Sequence, residues 1–218
     1  MSAGLVEAAR PRLRGVSHEI GFFVSVACGV ALVATAPAGR GLVGAIVYAL
    51  AVSALLGTSA LYHRRDWRPA ARRWMRRVDH SMIFVLIAGT YTPFALLAMH
   101  GPLATAVLVG VWCAALAAGV LEFVWVTHPR WISALLAVGL GWVSVAAMGQ
   151  LTNSLGLAAV LAIALGGVLY TVGAVVYARQ RPDPVPGVFG YHEVFHVLVL
   201  AAASIHYAIV AFVVLPRA

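Results

Sequence analysis

The sequence predicts an all-α polytopic membrane protein, a bundle of seven transmembrane helices with its N-terminus cytoplasmic and its C-terminus outside. Three observations predict it. Of 218 residues, 62% are hydrophobic and only 10% are charged, and the mean hydropathy is +0.94; an ordinary soluble domain carries roughly 25% charge. The apolar stretches are close to the ~20 residues that a helix needs to cross a bilayer core of ~30 Å. Short polar segments and Pro/Gly turns separate them, and the arginines alternate by side.

Residues 1–17 are expected to form a cytoplasmic N-terminal segment bearing Arg10, Arg12 and Arg14, followed by one seven-helix domain over residues 18–218. The first apolar segment runs from Ile20 to Ala36. A basic head before an apolar segment also describes a signal peptide, but six further hydrophobic segments follow and no clear small-residue cleavage site stands out, so it is read as a retained helix. Pro37, Gly39 and Gly41 punctuate the next turn. The second segment covers Leu42 to about Tyr62 and leads into an Arg-dense loop. The third runs from about Val78 to Leu97, with a kink expected at Pro93. Gly101 and Pro102 mark a turn before the fourth, Leu103 to about Trp125. The fifth covers about Trp131 to Met148, and Asn153, Ser154 and Gly156 lie around the next turn. The sixth ends near Tyr177, Pro182, Pro184 and Pro186 stiffen the following loop, and the seventh runs from near Tyr191 to near Leu215.

Orientation follows from counting arginines. A cytoplasmic N-terminus puts thirteen of the fifteen on one side and only Arg40 and Arg217 on the other, an alternation that works only with seven spans. A helical bundle of this kind belongs in an inner or plasma membrane. The net charge of +8 is accounted for by arginines near anionic headgroups, so membrane lipids are the expected partners and nucleic acid is not. Cys28 and Cys113 lie in apolar runs without close-spaced partners and read as packing residues. Trp67, Trp74, Trp125 and Trp131 read as an interfacial aromatic belt.

His192 and His196 stand four residues apart at the start of the last segment. On a helix they share one face about 6 Å apart along the axis, which is chelating geometry for one metal ion. Other candidates come from elsewhere: Ser59 and His63 end the second segment and Asp79 opens the third. The topology puts all of them at one membrane depth. Ionisable groups in hydrocarbon cost roughly 2.5 to 3.5 kcal/mol at a helix centre. A metal site is the favoured reading of this set; headgroup contacts for the histidines, and an Asp79 pair with Arg76 or Arg77, are the alternative.

Several further residues read as structural. His206 is too far along the last helix to join His196 on one ion and reads as an interior hydrogen-bonding group. His80 should face away from the site, and Glu193 points away from the two-histidine face. His18 and Glu19 either cover the site or cap the first helix. Glu122 is expected to snorkel or to pair with Arg130, and Tyr91 and Thr92 to repair backbone bonds freed at Pro93.

The segments Ser59-Ala60-Leu61-Tyr62-His63, Asp79-His80-Ser81, Gly89-Thr90-Tyr91-Thr92-Pro93 and His192-Glu193-Val194-Phe195-His196 resemble the hemolysin III family, over nearly the whole chain. That family belongs with the progestin and adiponectin receptors and the alkaline ceramidases in a superfamily of seven-helix proteins. The resemblance implies a zinc ion held by His63, His192 and His196, with Asp79 and Ser59 beside it. Three neutral imidazoles leave the fourth tetrahedral position open, the pattern of catalytic zinc. Asp79 would be the base and Ser59 a hydrogen-bonding positioner, giving a hydrolase of a lipid amide or ester. The competing readings are a pore-forming hemolysin, which would need oligomerisation, and a sensor or regulator of membrane state.

Overall fold

In a computed structural model, residues 11–217 are described; most of the predicted N-terminal segment, including Arg10, lies outside them. Seven helices are long and apolar enough to cross a membrane: α1 Val16–Thr35, α2 Arg40–Arg64, α3 Pro69–Leu97, α4 Gly101–Val124, α5 Arg130–Leu155, α6 Leu157–Arg179 and α7 Tyr191–Arg217. Helix is the form that satisfies every backbone N–H and C=O within its own segment, as lipid demands. There is no strand among the described residues beyond a single bridge between Val185 and Phe189.

Sequential helices pack as neighbours from α1 to α4, α5 packs on α3, α4 and α6, and α6 packs on α7. Contacts between α7 and α1 close the ring. The Tyr207 hydroxyl on α7 donates to the Cys28 carbonyl on α1 at 3.0 Å, and the Tyr48 hydroxyl on α2 donates to the Ala203 carbonyl on α7 at 3.3 Å. The innermost helix is α3, with 56% of its apolar window buried against 17% for α1 and α5. Small residues permit the close crossings that van der Waals packing in a membrane requires. At Gly89 on α3 an added Cβ would stand 2.3 Å from the Ala51 Cβ on α2.

Beyond shifts of up to four residues at other helix ends, three features differ from the sequence expectation. First, α3 begins at Pro69, so Arg72, Arg73, Arg76 and Arg77 belong to the helix and not to a loop. Pro69 occupies the first helical position, where its missing N–H costs nothing, and Ala70-Ala71-Arg72-Arg73 are strong helix formers whose charge marks the part of the helix outside the hydrocarbon. Second, α5 continues to Leu155, so Asn153 and Ser154 are helical and Gly156 alone makes the turn, with φ +88°. Third, α5 is not uniform: Trp142–Ala147 is a 3₁₀ segment between two α-helical parts.

Tyr91 satisfies that 3₁₀ waist. Its hydroxyl donates to the Gly141 carbonyl at 2.6 Å and accepts from the Ser144 N–H at 2.7 Å, so it braces α5 and does not repair its own helix. Thr92 donates to the Ala88 carbonyl at 2.9 Å, not to the Gly89 carbonyl that Pro93 leaves free, and accepts from Trp112 Nε1 at 3.1 Å.

Candidate metal centre

The starts of α1 and α7, the end of α2 and the part of α3 around Asp79, ten residues into that helix, meet at one end of the bundle. On α7 the Glu193 carboxylate accepts from the Gly190 N–H at 2.8 Å, fixing the first helical turn. Arg14, in the segment before α1, forms an ion pair with the same carboxylate, which is 1% exposed. Glu193 therefore ties the start of α7 to the segment before α1. With that turn fixed, His192 and His196 project from one face with ring centroids 4.4 Å apart.

The last turn of α2 brings His63 to them. Its Nε2 stands 3.0 Å from His192 Nε2, and its ring centroid is 5.2 Å from that of His196. One ligand atom from each of the three histidines lies within 4.8 Å of the others. Zinc–nitrogen bonds of ~2.0–2.1 Å at a tetrahedral angle separate two ligand nitrogens by roughly 3.3 Å, so this convergence suits a small tetrahedral cation. The His196 Nδ1 atom is buried without a hydrogen-bond partner among the described residues. An all-imidazole donor set suits zinc, copper, iron and nickel.

Asp79 and Ser59 reach the same place. Asp79 Oδ2 is 3.9 Å from His63 Nε2, and both side chains are about one-tenth exposed. Arg77 lies over the Trp74 ring at 4.9 Å. Ser59 is buried beside Asp79, and its Oγ lies 2.8 Å from His18 Nδ1. Thus the structure brings Ser59, His63, Asp79, His192 and His196 together.

His18 is the member that sequence reasoning left between covering the site and capping a helix. It is 2% exposed and stacks on His196, with ring centroids 3.7 Å apart and planes within 10°. Gly15 makes room for this arrangement: it takes φ +80° at the start of α1, and a Cβ there would stand 2.6 Å from the His63 Cβ. The preceding chain is pinned as well, with Arg12 and Leu13 donating backbone bonds to Gly187 and Val188 at 3.0 and 3.1 Å. The one signal in the sequence is a histidine opening an otherwise apolar helix at the depth of the others. Glu19 goes elsewhere, pairing with Arg64 at 2.8 Å.

A second polar cluster adjoins the first. Glu122 neither snorkels nor pairs with Arg130: it is 3% exposed, accepts from Ser133 Oγ at 2.6 Å and lies 3.1 Å from His128 Nε2. The reason is that the chain after α4 folds His128 and Ser133 back over it, a tertiary contact invisible in local sequence. His80 is not among the three converging histidines and joins this second cluster. It lies 3.9 Å from Glu122 and 3.2 Å from the Tyr177 hydroxyl.

From His192 and His196 a cavity of about 150 Å³ runs into the bundle towards His206. Its wall is mainly apolar, including Ile83, Leu86, Phe94, Leu151 and Ile163.

The chain is similar to proteins already known. The profile of the family described as "Haemolysin-III related" matches residues 6–207. Hemolysin-3 of Bacillus cereus is 30% identical over 209 residues, covering 93% of this chain and 91% of that protein. The Hemolysin-3 homolog of Bacillus subtilis (strain 168) is 30% identical over 200 residues, covering 90% and 91%. The Homo sapiens monocyte to macrophage differentiation factor is 25% identical over 167 residues, covering 74% of this chain and 66% of that protein.

Proposed function

The chain belongs to the haemolysin-III related family of multi-pass membrane proteins, and from that premise we propose that it is a zinc-dependent hydrolase of a lipid amide or ester. The observation that carries the reading is the convergence of His63, His192 and His196 beside the Asp79 carboxyl group, at the mouth of an apolar cavity. The three imidazoles would hold the ion. When bound, zinc supplies Lewis acidity at a carbonyl and an activated water at neutral pH.

The remaining steps belong to the chain's own groups. Asp79 accepts a proton from the attacking water and returns it to the departing nitrogen or oxygen. Ser59, between Asp79 and His18, keeps both side chains in place. The cavity takes an acyl chain and leaves the scissile carbonyl at the histidines. The Arg-rich end of the bundle is the same end, so the positive-inside rule puts the site at the cytoplasmic face.

The names of the Bacillus relatives suggest lysis as a second reading. A path for ions through one chain would have to follow a wall built from Leu86, Phe94 and Leu151, which favours lipid over water. The test is to incubate the detergent-purified, zinc-loaded protein with lipid amides and esters and to measure released fatty acid. Product formation is expected. Binding without product would favour a sensor, and leakage from protein-loaded liposomes would favour a pore.

A further inference from the structure

Deeper in the cavity lies chemistry that the candidate metal centre does not use. His206 on α7 is ten residues beyond His196, roughly 15 Å further along the helix. It is 7% exposed and lines the cavity together with Tyr170 on α6. The imidazole is seated in a place made for it: at Gly166 an added Cβ would stand 2.5 Å from His206 Nε2. That Nε2 lies 3.2 Å from the Ile163 carbonyl oxygen. A carbonyl only accepts, so Nε2 carries the proton and Nδ1 presents a lone pair.

Two polar atoms in this apolar region then lack partners among the described residues, His206 Nδ1 and the Tyr170 hydroxyl. The two rings are 5.7 Å apart, centroid to centroid. Leaving such groups unsatisfied is unfavourable. His206 Nδ1 needs a donor, and the Tyr170 hydroxyl can give a proton. A single guest hydroxyl answers both, donating to Nδ1 and accepting from Tyr170. A ketone answers only Tyr170, and a methylene answers neither.

We propose that His206 and Tyr170 form a hydroxyl-recognising subsite within the cavity, selecting lipids whose acyl chain carries a mid-chain hydroxyl. The distance from the histidine cluster, roughly 15 Å, is spanned by about a dozen methylenes against the apolar wall. The inference rests on the lipid-binding half of the proposed function and is independent of metal and of turnover.

The test is competition against a fluorescent fatty acid on the purified full-length protein, using stearic acid and its mid-chain hydroxy and keto counterparts, with the hydroxyl moved along the chain. The native protein should bind the best-placed hydroxy acid about tenfold more tightly than the keto acid, the value of roughly one satisfied hydrogen bond. Tyr170→Phe removes one oxygen and should abolish that preference while stearic acid still binds; His206→Phe should do the same. Equal binding of all three acids by the native protein overturns the subsite but leaves the lipid cavity standing. A hydroxyl preference that survives in both variants also overturns it, because it would then arise elsewhere, or from a water held by other groups. Failure of every acid to compete removes the lipid cavity itself, and the subsite with it.

Discussion

His18 stacks on His196 at 3.7 Å while its Nδ1 lies 2.8 Å from Ser59 Oγ, so the first helix holds a ligand candidate of the last helix and a polar group of the second. Two contributions can be separated by substitution. His18→Phe keeps the ring contact and loses the bond; His18→Ala loses both. The first should cost about 1 kcal/mol of stability and the second an additional ~0.5–1.5 kcal/mol. Thermal unfolding of the detergent-solubilised protein measures both, and equal midpoints for the two variants would show that the stack contributes nothing.

Metal content tests the centre directly. About one zinc per native chain is expected after zinc-supplemented purification, falling to background in both His63→Ala and His196→Ala. Elemental analysis of the three proteins side by side decides it: full zinc in either variant removes that histidine from the ligand set.

Asp79→Asn should separate metal binding from chemistry. The amide has nearly the same shape and cannot accept the proton, so zinc stoichiometry should hold while turnover of a verified lipid substrate falls by ~10²–10⁴-fold. Native rates in this variant would assign the base elsewhere.

The α2–α3 crossing depends on the absence of one methyl group. Gly89→Ala places a Cβ 2.3 Å from the Ala51 Cβ, whereas Gly110→Ala meets nothing within 4 Å. The first should destabilise the protein by ~1–3 kcal/mol and the second should be near neutral. Similar unfolding temperatures for both variants would mean that the crossing relaxes freely.

Arg14→Ala strips the partner from a Glu193 carboxylate that is 1% exposed. Breaking a buried pair from one side costs about 3–5 kcal/mol. Faster proteolysis within residues 180–190 is the expected signature, since the same segment is tied to Arg12 and Leu13. A double variant Arg14→Ala with Glu193→Gln should recover part of the loss.

The spans and the site differ in how they are written in the chain. Seven apolar runs and alternating arginines declare the bundle, because hydropathy and charge act residue by residue. The His192/His196 pair is legible for the same reason: helical periodicity alone puts both rings on one face. The start of α3 is not, since Arg72, Arg73, Arg76 and Arg77 look like a loop to hydropathy although their backbone propensity is helical. Glu122, Tyr91 and His18 found partners that only tertiary structure supplies: Ser133 and His128, the 3₁₀ waist of α5, and Ser59 with His196. A buried polar group announces that it has a partner without naming it.

The contact of α7 with α1 closes the ring, and the candidate centre draws on α1, α2, α3 and α7. Synthesis delivers those helices in chain order, so the first three must wait in the bilayer through three more spans before His192 and His196 arrive. Until then the candidate set lacks His192 and His196. A chain ended before Tyr191 would lack two of the three converging histidines and the helix that closes the ring.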